Sequence, residues 1–196
     1  MIQYDRKRRV FLLLFSFYVF GISAGAVWLS AMGSTRQVQV TGWFDAWSAG
    51  FLEQLTPWFE LYLSSLWRHL LLALLIWFCG TSLAGIPAIY GIIVLKGFMT
   101  GFTSGFLIGI KGFRGLLYAV SVIFPAELVR IPVLFSLAGI ALSFAAMAHE
   151  GGNAVKSGLS RYCADFAPWV LFMFILSLAE ALILPGIMRW MPGIVL

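Results

Sequence analysis

Apolar residues run along this chain in stretches longer than a soluble helix or strand needs. Residues 10–31 are uncharged and match the ~20 residues that a bilayer-spanning helix requires. Residues 70–110 carry one charge, Lys96. As a single helix they would extend about 60 Å, twice the hydrocarbon core, so the stretch must turn once. The best breakpoint lies between Gly80 and Pro87, with Gly80, Gly85 and Pro87 as the breakers. The rival, at Lys96-Gly97, would leave residues 98–110 re-entrant.

A short basic turn, residues 111–115, leads into a long apolar run over 116–147. Pro125, Glu127, Arg130 and Pro132 interrupt it, which no plain lipid-facing helix tolerates. The run is therefore either one kinked span or a half-helix, re-entrant near Pro125, followed by a full one. Residues 149–165 read as a polar loop, and 166–190 as a last span interrupted by Glu180 and Pro185. Residues 51–66 place Phe51, Leu55, Trp58, Phe59, Tyr62 and Leu66 on one side of a helix, the pattern of an amphipathic helix lying along the interface. Trp67, Arg68 and His69 read as a collar at the water boundary.

These patterns predict an all-α integral membrane protein. It has about five transmembrane helices, over roughly 10–31, 67–84, 87–110, 116–147 and 166–190, and an outer amphipathic segment over 51–66. Composition agrees: 61% of the 196 residues are hydrophobic and 11% charged, against about 25% charged in a soluble domain. The mean hydropathy is +0.95. The whole chain reads as one membrane domain, with no room for a soluble domain beside the spans. The net charge of +5 comes mainly from Arg6, Lys7, Arg8 and Arg9, not from a nucleic-acid surface. Basic residues just before a span put the N-terminus on the cytoplasmic side of the membrane, and they could also touch anionic headgroups. The first segment is long for a signal-peptide core and reads as an uncleaved span.

Within the third span Gly97, Gly101, Gly105 and Gly109 recur every four residues, and Phe98, Phe102 and Phe106 follow one step behind. Positions four apart share a helix face, so this is a backbone groove beside an aromatic ridge. Such GxxxG units let another helix approach closely in lipid. Internal packing of one bundle is favoured over the seam of a homodimer.

Four charges fall within apolar stretches: Lys96, Glu127, Arg130 and Glu180. Each costs about 2.5–3.5 kcal/mol near the bilayer centre on insertion scales, and two of each sign invite pairing. The spacing pairs Glu127 with Arg130 along one helix, leaving Lys96 and Glu180 to pair across helices. A structural ion-pair cluster is favoured over an ion pathway, because the polar residues around the charges are sparse.

Catalytic constellations are missing. His69 and His149 sit at expected water boundaries, outside any HExxH or metal spacing, and Cys79 and Cys163 form no framework. Thr103-Ser104-Gly105 faintly resembles the nucleophile turn of intramembrane serine proteases, but Phe102 stands where that turn wants glycine and no span supplies a histidine base. Neither metal nor cofactor is expected.

Several elements together resemble the stage II sporulation protein M (SpoIIM) family. They are Trp67-Arg68-His69-Leu70, Ile76-Trp77-Phe78-Cys79-Gly80-Thr81-Ser82, Gly85-Ile86-Pro87, Leu95-Lys96-Gly97-Phe98 and Gly101-Phe102-Thr103-Ser104-Gly105-Phe106. Pro125, Ile131-Pro132, Glu180-Ala181, Pro185 and Met188-Arg189-Trp190 extend the resemblance over nearly the whole chain. It departs after Pro125, where sporulation members tend to carry an uncharged amide pair and this chain has Ala126-Glu127, with Arg130 added. The resemblance implies a membrane scaffold without enzymatic activity. Such a scaffold gathers extracytoplasmic peptidoglycan-degrading enzymes, a lytic transglycosylase and an amidase, at the septum during engulfment. Wider relatives resemble membrane subunits that work with ATP-driven exporters, which makes transport the alternative. The outer segment with Trp43, Trp47, Trp58, Phe59 and Tyr62 is where a partner would dock, aromatic residues being enriched at such contacts. Burial of that face against the membrane or the bundle is the competing reading.

Overall fold

A computed structural model describes residues 2–31, 58–149 and 154–190. The described residues are helical, without strands. Helix α1 is Ile2–Ala31, α2 Trp58–Gly80, α3 Gly85–Lys111 and α4 Phe113–Tyr118. A π-helical segment, Ala119–Ile123, leads into α5, Phe124–His149, and α6 is Ala154–Trp190. Five of these helices are long and apolar enough to cross a membrane, over Arg8–Leu29, Trp58–Gly80, Gly85–Gly109, Phe124–Ala148 and Gly158–Ile183.

The turn between the second and third spans falls where the glycines and proline indicated. Residues 81–84 form it, Gly85 opens α3, and Pro87 sits inside the first turn of that helix, where its missing N–H has no intrahelical partner to lose. Other boundaries differ. Trp58–Leu66 is not a separate interfacial helix but the start of α2, with Ser65 and Leu66 buried against the bundle. His69 therefore lies near the middle of the second span rather than at its edge. Residues 51–57, with Trp43 and Trp47, lie outside the described residues. The expected polar loop over 149–165 is helical from Ala154 onward. Ser160, Arg161 and Asp165 are exposed there, whereas Tyr162 and Phe166, 3% and 5% exposed, pack inward four residues apart.

Three prolines end no helix. Pro125 lies in the first turn of α5, directly after the π-helical segment, whose wider turn accommodates the missing N–H. Pro132 sits inside α5, and α6 runs through Pro185. The run over 116–147 thus resolves into a short helix, a π-helical segment and a full helix.

Helices α1 and α3 run parallel and approach to backbone contact. A β-carbon on Gly97 would strike the carbonyl of Tyr18, and one on Gly101 the carbonyl of Ile22. Reciprocally, one on Gly21 would strike the carbonyl of Val94 and one on Gly25 that of Phe98. The groove that the glycines make on α3 is filled by α1 of the same chain. The contact relaxes along the ladder: Leu29 lies 3.5 Å from a β-carbon at Gly105, and nothing lies within 4 Å at Gly109. Phe98, Phe102 and Phe106 stack beside it, with ring centroids 6.3 Å apart at both steps.

A second group forms where α2, α5 and α6 meet. Gly80 admits Ala141 and the hydroxyl of Tyr162, and that hydroxyl donates to the carbonyl of Trp77 at 3.0 Å. The Tyr162 ring stacks on Phe144 at 4.4 Å. Between α3 and α4 the chain reverses at Gly112, whose φ of 57° favours glycine, and Gly115 packs directly on the carbonyl of Leu107. The two groups meet in one apolar core around Leu14, Ile89, Ile93 and Leu137. Hydroxyls on the outer faces bond their own helix, as Ser16 does to Leu12 at 2.9 Å and Ser143 to Gly139 at 2.8 Å, which suits side chains facing lipid.

Leucine at Gly101 is expected to separate α1 from α3 and lower the thermal unfolding midpoint in detergent, whereas leucine at Gly91, which has open space, leaves it unchanged. An overpacking cost of about 1–3 kcal/mol sets the scale.

Candidate functional site

The four charges expected within apolar stretches converge on one polar cluster, to which each of the five long helices contributes; Arg68, beside His69 on α2, is exposed. Helix α1 supplies Tyr18, α2 Ser65 and His69, α3 Lys96 and Thr100, α5 Glu127 and Arg130, and α6 Ser177 and Glu180. Two carboxylates organise it. Glu127 Oε1 accepts from Lys96 Nζ at 3.0 Å and from Arg130 Nη1 at 3.1 Å. The Tyr18 hydroxyl is shared between Glu127 Oε2 and Thr100 Oγ1, each at 3.4 Å, while Thr100 donates its own proton to the Lys96 carbonyl at 3.0 Å.

Glu180 is the second centre. Its Oε1 accepts from Arg130 Nε at 2.6 Å, and its Oε2 from Ser65 Oγ at 2.6 Å. His69 Nε2 stands 3.9 Å from the same carboxylate, and Nδ1 lies 2.9 Å from Ser177 Oγ. Arg130 therefore bridges the two carboxylates. The expected Glu127–Arg130 pair is present. The expected Lys96–Glu180 pair is not: Lys96 meets Glu127 instead, because α3 and α5 leave the Gly112 reversal side by side and carry these two residues to one depth.

Burial grades the charges. The carboxylate side chains are 8% and 9% exposed, those of Lys96 and Arg130 25%. Desolvated carboxylates in a low dielectric need opposite charges and donors, and both have them. Among the described residues no buried side-chain nitrogen or oxygen lacks a partner. The cluster also lies across the bundle rather than along it. Tyr18, Lys96 and His69 sit near the middles of their apolar spans, Glu127 and Arg130 near the start of Phe124–Ala148, and Ser177 and Glu180 towards the end of Gly158–Ile183, and the bonds that join them run from helix to helix.

Residue patterns missed Tyr18, Ser65, Thr100 and Ser177, and placed His69 at the membrane edge. A usable signal was there. Ser65 and His69, Lys96 and Thr100, and Ser177 and Glu180 are spaced four, four and three apart, so each pair shares a helix face. The Ser177–His69–Glu180 grouping has the residue types of a nucleophile, base and acid. Its geometry is otherwise: Ser177 is 0% exposed, the histidine–carboxylate distance exceeds a hydrogen bond, and Ser177 lies within a continuous helix that offers no free backbone N–H for an oxyanion.

The remaining site residues disperse. Trp58 and Phe59 are 57% and 55% exposed at the start of α2, and Tyr62 is half-buried. No group of three or more histidine, cysteine or acidic side chains able to hold a metal occurs among the described residues.

Breaking the Lys96–Glu127 pair from one side leaves a charge uncompensated, so Lys96→Met and Glu127→Gln are each expected to destabilise the bundle by about 3–5 kcal/mol. The double variant is expected to recover part of that loss in a detergent unfolding cycle. Lys96→Met with Glu180→Gln shows no comparable recovery.

The family model described as Stage II sporulation protein M, SpoIIM, matches residues 12–184. No curated protein and no solved structure matches the chain.

Proposed function

The chain belongs to the Stage II sporulation protein M family, and we propose that it works as a noncatalytic membrane scaffold. In this reading the N-terminus is cytoplasmic, and the bundle holds extracytoplasmic peptidoglycan-degrading enzymes, a lytic transglycosylase and an amidase, at the outer face of a bacterial inner membrane. The observation that carries the reading is the closed transverse polar cluster. Every charge in it is engaged by another helix of the same chain, so the polar interior is committed to cohesion. A conduction path would instead need polar groups strung along the membrane normal and reachable by water. The exposed aromatic pair Trp58 and Phe59 at the start of α2 supplies a rigid contact for a partner.

Co-expression tests this directly. With the protein captured from solubilised membranes, both hydrolases are expected to co-purify, and Trp58→Ala with Phe59→Ala to reduce their recovery without altering the thermal midpoint. Absence of both hydrolases, or capture of an ATP-hydrolysing subunit in their place, would overturn the scaffold reading in favour of an exporter component.

A further inference from the structure

We propose that Glu127 is a latch between two rigid halves of the bundle, whose neutralisation uncouples the halves without unfolding either. The first half is α1 with α3, the second α2 with α5 and α6. In lipid, apolar faces exchange neighbouring side chains for acyl chains at little gain, so cohesion comes from close backbone packing and interhelical polar bonds. Each half has its own supply. Gly21, Gly25, Gly97 and Gly101 put α1 and α3 in backbone contact, and Tyr18 to Thr100 adds a bond between them. The second half has Gly80 on Ala141, the Tyr162 bond to Trp77, Ser65 and Arg130 on Glu180, and His69 on Ser177.

Across the divide the polar bonds converge. Tyr18 and Lys96, from the first half, both end on Glu127 of the second. The other contacts there are apolar or lie at the turn that joins α2 to α3: Phe135 is edge-on to Phe11 at 5.4 Å and to Tyr18 at 5.9 Å, Ile76 and Leu137 share a core with Leu14, Ile89 and Ile93, and Gly85 rests on the Cys79 backbone; acyl chains can take the place of the apolar ones. Glu127 is 6% exposed. It stands just after the π-helical segment, whose irregular turn is suited to a change of direction. Its counterpart Glu180 bonds only within the second half, so the two carboxylates hold different things together.

Spin-label distances in lipid nanodiscs test the latch in the full chain with Cys79 and Cys163 replaced. One label pair spans the halves, at Val27 and Leu182; one lies within the first, at Val27 and Ile108; one lies within the second, at Leu63 and Leu182. Glu127→Gln is expected to shift and broaden the spanning distribution alone. Glu127→Asp, which keeps the charge, stays near wild type, and Glu180→Gln broadens the pair within the second half. An unchanged spanning distance in Glu127→Gln, or equal broadening of all three pairs, would overturn the proposal. Should Glu127→Gln not fold, Lys96→Met carries the same expectation with a smaller shift, because Tyr18 still reaches Glu127.

Discussion

A charge inside a bilayer must find its partner within the protein, and that constraint organises this molecule. Four charges stand among apolar residues, and lipid offers none of them a hydrogen bond. The chain satisfies all four in one cluster by drawing a contribution from each long helix. Helix register follows from this. Lys96 reaches Glu127 because α5 packs beside α3 after the Gly112 reversal, and Arg130 reaches Glu180 because α6 packs beside α5.

Glycine determines the rest. Gly97 and Gly101 on α3 admit the carbonyls of Tyr18 and Ile22 on α1, and Gly21 and Gly25 on α1 those of Val94 and Phe98 on α3, so two backbones approach closely enough to carry Tyr18 to Glu127. A larger side chain at these positions would move the tyrosine hydroxyl out of reach. The packing of α1 on α3 and the polar cluster are therefore one arrangement: the first sets distances that the second needs. The prolines fit the same scheme. Pro125 follows the π-helical segment, and Glu127, two residues later, is presented inward where three donors converge.

Much of this could be read from residue patterns. Length and hydropathy of the apolar runs indicated the five spans, and Gly80 to Gly85 marked the turn between the second and third. The four charges stood out because charge in such surroundings is expensive. Their wiring did not, because pairing across helices depends on register, which no local pattern encodes; Lys96 and Glu180 were equally open to each other by charge alone. His69 was misplaced because Trp67 and Arg68 beside it look like a water boundary, whereas α2 begins at Trp58 and turns His69 toward the bundle while Trp67 and Arg68 stay exposed. The polar composition of 149–165 suggested a loop, since the inward face there rests on Tyr162 and Phe166 and is too short to dominate the pattern. Gly21 and Gly25 gave a weak signal, two glycines in an otherwise ordinary span, and acquire meaning only opposite the ladder on α3.

The account holds that the buried charges bind helices to one another and carry nothing across the membrane. Proton flux into vesicles containing the purified protein, driven by a membrane potential, tests this most directly. Flux no greater than in empty vesicles is predicted, for the wild type and for Glu127→Gln alike. Flux in the wild type that Glu127→Gln abolishes would contradict it.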